Sequence, residues 1–365
     1  MAEKKPIKLA VVGVGNCASS LIQGIYYYRN AKDNEFVPGV MHVRFGGYHL
    51  RDIKIVAAFD VNENKVGKDV AEAIYAAPNN TATFAKVPKL GVKVSRGPLL
   101  DGVNKYTAPL VPVNKTRKAV DVVKVLKDSG AEIVINYLPV GSQEATEYYA
   151  NAAIKAGCGF VNCIPVFIAS DKKWAKKFKD AGLPVIGDDI KAQVGATILH
   201  RTLVNLFLDR GMVIDHTYQL NTGGNTDFLN MLERERLASK KISKTEAVTS
   251  QVEARGQTID PEDIHIGPSD YVAWQKDNKI CFLRIESKHF GDVPMNVEVR
   301  LSVEDSPNSA GVAIDSIRSL KLALDNHLSG TIIEPAAYFK KHPPVQIEDR
   351  QARELVEKYI ATFGS

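Results

Sequence analysis

The chain has only four cysteines in 365 residues, Cys17, Cys158, Cys163 and Cys281, and their spacing matches neither a zinc knuckle nor a redox CxxC pair. That excludes a disulfide-stapled secreted scaffold. Scattered thiols in a long chain point to a reducing compartment, hence a cytoplasmic protein. No apolar run approaches the roughly 20 residues needed to span a bilayer, so no membrane is expected. The opening MAEKKPIKLAVVGVG is basic and then apolar, like a signal peptide. Its apolar run is too short, is broken by glycines and precedes no small-residue cleavage site, so it reads as a first β-strand. Charge of one sign is also scarce. Lys plus Arg number 47 and Asp plus Glu 42, leaving +5 spread along the chain, and nucleic acid is therefore not an expected partner. No His, Cys and carboxylate cluster demands a metal; His200, His216, His265 and His289 stand apart. Repeats, low-complexity segments and polar linkers are missing as well. The remaining composition, 45% hydrophobic and 24% charged, is that of a globular protein long enough for two domains.

Short apolar runs at Ile7–Val12, Ile53–Phe59, Glu132–Tyr137, Gly159–Asn162 and Leu183–Ile186 alternate with stretches of helical period. The helical stretches are Cys17–Arg29, Val66–Ala76, Arg117–Lys127, Ser142–Ala156 and Asp171–Ala181. Repeated βα units of this kind predict a parallel sheet covered on both faces. Asn30–Asp52 reads as a loop-bearing insertion, and Pro78–Pro112 as a long surface excursion. After Asp189 the pattern changes. Long helices are predicted at Gln193–Asp209 and Ala310–Leu328, further helices at Phe228–Ser239, Ser243–Arg255 and Glu348–Phe363, and strands at His216–Asn221, Val272–Gln275, Lys279–Ser287 and Pro294–Val303. The predicted architecture is α/β, a Rossmann-type doubly wound parallel sheet interrupted by an α+β catalytic and oligomerisation domain. Residues 1–190 and 305–365 form the first unit and 191–304 the second.

Gly13-Val14-Gly15-Asn16-Cys17-Ala18 lies between a strand and a helix and reads GxGxxA. Gly13 permits the tight turn, Gly15 lets backbone approach a pyrophosphate, and Ala18 lets helix and strand pack closely. The N–H groups at Asn16 and Cys17 then face the phosphates. Asp60, closing the second strand, is the candidate for the ribose hydroxyls, and an acid there favours NAD over NADP. It lies farther along than the motif's usual spacing, and the Asn30–Asp52 insertion accounts for the excess. Asp69 is a second candidate, although a solvated helix acid is the commoner use of such a residue. Asp188-Asp189-Ile190-Lys191-Ala192-Gln193 joins carboxylates to a predicted helix start, suited to a phosphate or a nicotinamide; plain N-capping is the alternative. Lys240 and Lys244 in SKKISK share a helix face, and two like charges so placed favour an anion between them. A lysine run is otherwise most often a solvated face. Asn221–Asp227 (NTGGNTD) suits a polyhydroxylated ligand or a plain turn.

Taken together, VGVGNCASS, GDDIKAQVGAT, NTGGNTDFLNML, SKKISK, VEDSPNSAG and YFKKHPP resemble the myo-inositol phosphate synthase family, in its compact actinobacterial and archaeal form. The resemblance spans essentially the whole chain in order. It implies glucose 6-phosphate as substrate, 1D-myo-inositol 3-phosphate as product, and tightly bound NAD regenerated at each turnover. Carbon 5 is oxidised, carbon 6 loses a proton, the enolate attacks the carbon 1 aldehyde, and carbon 5 is reduced again. By the same resemblance Lys240, Lys244, Lys279 and Lys341 are the family's lysines. Lys240 and Lys341 would face the carbon 5 and carbon 1 oxygens, with Lys279 nearby. Lys244 with the backbone at Ala192 and Gln193 would hold the phosphate, and Asp227 and Asp305 would orient lysines. Asp188 or Asp189 would face the nicotinamide, and either Lys340 or Lys341 is the functional member of its pair. A homotetramer and an activating cation of unspecified identity are also implied. Crowded ammonium groups lower one another's pKa, so one lysine is expected to shuttle protons near neutral pH. An ordinary NAD-dependent dehydrogenase of a phosphorylated sugar or semialdehyde, and a non-catalytic NAD-binding regulator, are the competing readings.

Overall fold

The glycine turn fixes the centre of the fold. In the computed structural model, which describes residues 6–267 and 270–364 except the side chains of Ala238 and Lys240, the chain enters through β1 (Ile7–Val12) and turns at Gly13 into α1 (Asn16–Tyr27). A small hairpin, β2 (Arg44–Phe45) with β3 (Tyr48–His49), follows. Then come β4 (Ile53–Asp60), α2 (Val70–Ala73), β5 (Val94–Arg96), α3 (Val122–Asp128), β6 (Ile133–Asn136) and α4 (Gln143–Ala156). The series continues with β7 (Gly159–Asn162), α5 (Lys172–Asp180) and β8 (Pro184–Ile186).

Next come α6 (Ala196–Asp209), β9 (Val213–Gly223), α7 (Thr226–Asn230), α8 (Ala238–Glu253), β10 (Ile264–Ile266), β11 (Asp270–Tyr271), β12 (Asn278–His289) and β13 (Val293–Glu304). The chain closes with α9 (Pro307–Asp325), β14 (Gly330–Thr331), α10 (Ile333–Phe339) and α11 (Asp349–Phe363).

Seven strands make one parallel sheet in the order β14-β8-β7-β6-β1-β4-β5. This is the doubly wound Rossmann order, extended by the two-residue β14 from the C-terminal stretch, and its topological switch lies between β1 and β6. β1, β6, β7 and β8 are buried nearly throughout, as strands covered on both faces must be. One face packs under α1, α9 and α11 through Leu21, Ile25, Ile314, Ile317 and Val356. The other packs under α3, α4 and α5 through Leu126, Tyr149, Ala153 and Phe178. The buried guanidinium of Arg318 donates to the carbonyls of His42, Val43 and Tyr48, while its partner Asp315 accepts from Met41 N–H. This pins the early insertion onto α9.

The second sheet runs β10-β9-β12-β13, with β11 also on β9; β12 is antiparallel to both neighbours. Alternate residues Cys281, Leu283 and Ile285 pack beneath α6 and α8, and β13 forms an outer edge of twelve residues.

The expected elements were displaced where local punctuation outweighed periodicity. The Val66–Ala76 helix shrinks to α2, because Asp69 caps it at one end and the chain leaves at Ile74. Arg117–Lys127 turns helical only at Val122, capped by Asp121. The helix expected from Gln193 starts at Ala196, after Gly195. Phe228–Ser239 is broken into α7, a 3-10 turn and the start of α8. Val272–Gln275 is not a strand: β11 precedes it, and Ala273–Gln275 is a 3-10 turn. The Pro78–Pro112 stretch is more than a surface excursion, since it supplies β5 at the edge of the large sheet.

Candidate functional site

One cavity opens at the carboxyl ends of β1, β4 and β6, where the first sheet meets the second. Its first wall is the glycine turn. Gly13 has φ +85°, a left-handed conformation; a Cβ there would sit 2.7 Å from the Tyr137 carbonyl oxygen at the end of β6. Gly15 is different. A Cβ there would meet nothing within 4 Å, so the position faces open space. No side chain caps α1 at Gly15, which leaves the helix's first N–H groups for a ligand. An absent side chain beside an uncapped helix start fits a pyrophosphate. Gly13, Gly15, Asn16 and Cys17 line the cavity, whereas Ala18 is fully buried in the helix–sheet packing and does not reach it.

Asp60 also lines the cavity, accepting from Val14 N–H (2.9 Å), Val61 N–H (2.7 Å) and Asn62 N–H (2.9 Å). It thereby ties the glycine loop to the end of β4. Asp69 does not reach the cavity. Its carboxylate accepts from Ala71, Leu90 and Gly91 N–H, which hold its pKa down against the effect of burial, and it serves as an N-cap. Asp188 is likewise displaced from its expected place beside the nicotinamide. It is fully buried and accepts from Asn162, Ser170 and the backbone of Ile168 and Ala169, and burial raises its pKa despite those bonds. Asp189 is the member of that pair that lines the cavity.

The second wall is charged. Lys279 on β12 meets Asp305 at 3.2 Å, beyond the end of β13. Lys341, in the loop after α10, donates to Asp189 at 3.0 Å, and Asp189 also accepts from Ser243 Oγ at 2.8 Å. Lys244 of α8 and Asp227 of α7 complete this wall. Lys240 stands one turn before Lys244 on α8, but its side chain lies outside the described residues. Lys340, the neighbour of Lys341, points elsewhere: fully buried, its Nζ lies 3.7 Å from Cys163 Sγ. The pKa expectation is not met at Lys279. Burial works against the charged amine, but Asp305 overrides it and the pKa is raised. Depressed amines are found instead at Lys65, Lys340 and Lys191, all through burial, the last brought down to about 8.

The third wall is the start of α6. Gly195, Ala196, Thr197 and Ile198 line the cavity, as does Ala192, and no side chain caps this helix either. Gln193 does not take part; it is exposed, and its N–H donates to the Asn308 carbonyl. The free N–H groups thus lie three residues beyond the expected place. Two uncapped helix starts therefore face one cavity, which Lys244, Lys279 and Lys341 also line. The thiols of Cys17 and Cys163 also line it, and burial pushes both up in pKa.

Several contributors escaped the sequence reading. Buried Lys65 donates to the Val14 carbonyl and to Asn79 Oδ1, both at 2.8 Å, bracing the glycine turn. Asn16 bonds to Asn80 and Asp277, and Asp277 in turn accepts from Asn225 and Ser306. Asn104 donates to Asn230 Oδ1 at 2.9 Å, and Asn230 to the Val140 carbonyl, latching the 98–111 loop onto α7. The glycine at position 195 was the one available signal, since glycine is tolerated at helix N-caps. Among the described residues no group of three or more His, Cys, Asp or Glu is placed to hold a metal ion, and no helix is long and apolar enough to cross a membrane.

Residues 195–306 match the family model described as Myo-inositol-1-phosphate synthase. The chain is 57% identical over 355 residues to an inositol-3-phosphate synthase of Mycolicibacterium smegmatis, covering 97% of this chain and 98% of that one. It is 53% identical to one of Corynebacterium glutamicum, covering 97% and 98% respectively. The crystal structure of Ari2 superposes with a TM-score of 0.78 at 33% identity, covering 99% of this chain and 100% of that one. The inositol-3-phosphate synthase of Caenorhabditis elegans shares the fold, with a TM-score of 0.73 at 15% identity over 100% of this chain and 87% of that one.

Proposed function

Because the chain belongs to the myo-inositol-1-phosphate synthase family and is an isomerase of inositol biosynthesis, we propose that glucose 6-phosphate is its substrate and NAD its resident cofactor. The two uncapped helix starts flanking a lysine wall carry this reading. The α1 start with Gly13, Gly15, Asn16 and Cys17 suits the pyrophosphate of NAD, with Asp60 at the ribose. The α6 start at Gly195–Ile198, with Lys244, suits the sugar phosphate. NAD held at the α1 start would supply reversible hydride-transfer chemistry at carbon 5, consistent with a net isomerisation to 1D-myo-inositol 3-phosphate.

The chain's own residues do the rest. Lys279 and Lys341 are presented as ammonium groups toward the space between the two phosphate sites. Developing negative charge on the carbon 5 and carbon 1 oxygens is stabilised there more than the neutral sugar is, which lowers the barriers to enolisation and ring closure. Asp305 and Asp189 fix those amines in direction, and Asp305 favours the charged form of Lys279 against burial. Lys240, on the helix face of Lys244, is the further amine of this set. The sharing of one cavity by both sheets supports the division into residues 1–190 with 305–365 for the cofactor and 191–304 for catalysis and assembly. The open edge of β13 supports a homotetramer, and the family membership supports a cytoplasmic enzyme.

The test is incubation of the pure protein with glucose 6-phosphate and sub-stoichiometric NAD. Inositol phosphate should accumulate far beyond the NAD present, with no parallel rise in NADH absorbance. NADH formed in proportion to product would establish an ordinary dehydrogenase instead.

A further inference from the structure

We propose that Arg201, which lies outside the cavity, is the positioning residue that holds Lys341, α8 and the start of α6 in register. The inference rests on the reading of Lys341 as an active-site amine. Arg201 is fully buried, one turn into α6 beyond the residues that line the cavity. Its guanidinium makes four hydrogen bonds, one to α8 and three to the 346–349 stretch that leads into α11. Nε donates to Asp349 Oδ2 at 2.9 Å, at the start of α11. Nη1 donates to the Ala247 carbonyl at 3.0 Å, three residues past Lys244 on α8. Nη1 also reaches Gln346 Oε1 at 3.0 Å, and Nη2 the Ile347 carbonyl at 2.9 Å.

Gln346 passes the constraint on. Its Nε2 donates to the Lys341 carbonyl at 2.8 Å. The half-buried carboxylate of Asp349 is shared with Lys191, which also donates to the Ala337 carbonyl within α10. A simple stabilising ion pair needs only Asp349. The remaining bonds go to α8, three residues past Lys244, and to Gln346 and Ile347 downstream of Lys341, and a planar fork with several fixed donors serves both segments at once. A lysine at 201 would keep the charge and lose the geometry. Displacements of the order of 1 Å in a catalytic group are costly to turnover while leaving remote substrate binding in place.

Gln346→Ala tests this, because Gln346 is only partly buried and the change cuts the Arg201–Lys341 link while sparing the Arg201–Asp349 pair. We expect kcat to fall about tenfold or more with KM for glucose 6-phosphate within about threefold, and the pH profile of kcat to shift. Competitive acetylation of Lys341 by acetic anhydride, read by mass spectrometry on the NAD-loaded protein, should change severalfold in rate as a function of pH. Arg201→Lys should show the same pattern. An unchanged acetylation profile, or an unchanged kcat and pH profile, in folded Gln346→Ala overturns the proposal. If the wild type fails to turn over glucose 6-phosphate, the functional reading is what fails. The acetylation profile, which needs no substrate, then decides the positioning role alone.

Discussion

The glycine turn and the lysine wall face each other across one cavity, yet they are built in opposite ways. The turn draws its ligand-facing groups from four nearly consecutive residues, Gly13 to Cys17, and their geometry is local: a positive φ, a missing Cβ, a helix start. The wall gathers Asp189, Asp227, Lys244, Lys279, Asp305 and Lys341 from six segments spread over half the chain. A local site depends first on the residues that form it and on a few braces, here Asp60 and Lys65. A gathered site depends equally on residues that never touch the ligand. The reaction can therefore be lost from many places, while cofactor binding can be lost from few.

The sharpest way to break this contrast is Lys279→Met. Turnover should fall by about 10³-fold or more, because an oxyanion partner is removed, while NAD titrates as before; a parallel loss of NAD affinity would mean the two walls are not separable. Next in size, Gly15→Ala places its methyl in open space, so thermal stability should hold while NAD affinity drops about a hundredfold. Gly13→Ala instead meets the Tyr137 carbonyl and should lose stability as well, which differential scanning calorimetry with and without NAD will separate.

Acid should loosen the lysine side through His200. This histidine bridges α6 to Thr217 on β9, and burial lowers its pKa to about 4 from 6.5. The fold keeps it neutral, so the unfolded chain binds the extra proton between those values. Its full stability is present above pH 6.5 and is lost as pH falls toward 4, by about 3 kcal/mol. His200→Gln should flatten that part of the stability–pH curve. A smaller effect is expected at the latch. Asn104→Ala frees the 98–111 loop from α7 and should speed NAD release about tenfold, measured by stopped-flow displacement of bound NADH, with little change in kcat. Smallest is Asp69→Ala, which should cost about 1 kcal/mol as a lost cap and leave NAD affinity alone. Asp60→Ala should lower NAD affinity, and stability as well, because its carboxylate accepts from three backbone N–H groups.

Legibility followed the same division. Strand, glycine turn and helix are contiguous, and the sequence shows them directly, down to the distinct tasks of Gly13 and Gly15. Acids were harder. Asp60 and Asp69 look alike in a row of letters; the second caps α2 through Ala71 N–H, and the N–H groups of Leu90 and Gly91, arriving from a later loop, hold it there away from the cavity. Asp188 and Asp189 differ in the same way, since consecutive side chains diverge and one goes into packing. The helix start slipped from Gln193 to Ala196 because an Asn308 contact holds the intervening backbone. The Asn104–Asn230 latch and the Arg201 contacts join residues more than a hundred positions apart, or across several elements, and no periodicity announces them. Lys240 and Lys244 stood out by their spacing, whereas Lys279 and Lys341 became visible only through the resemblance to a family.

Burial of the two cavity thiols has a chemical consequence of its own. A sugar that must open to a free aldehyde is an electrophile, and a thiolate beside it would add to form a hemithioacetal and stall the ring closure. Cys17 and Cys163 are held in their protonated, poorly nucleophilic form, the first reinforced by Asp277 and Asp305 and the second despite the nearby Lys340. The same seclusion that suits a reactive carbonyl should make the protein slow to react with iodoacetamide.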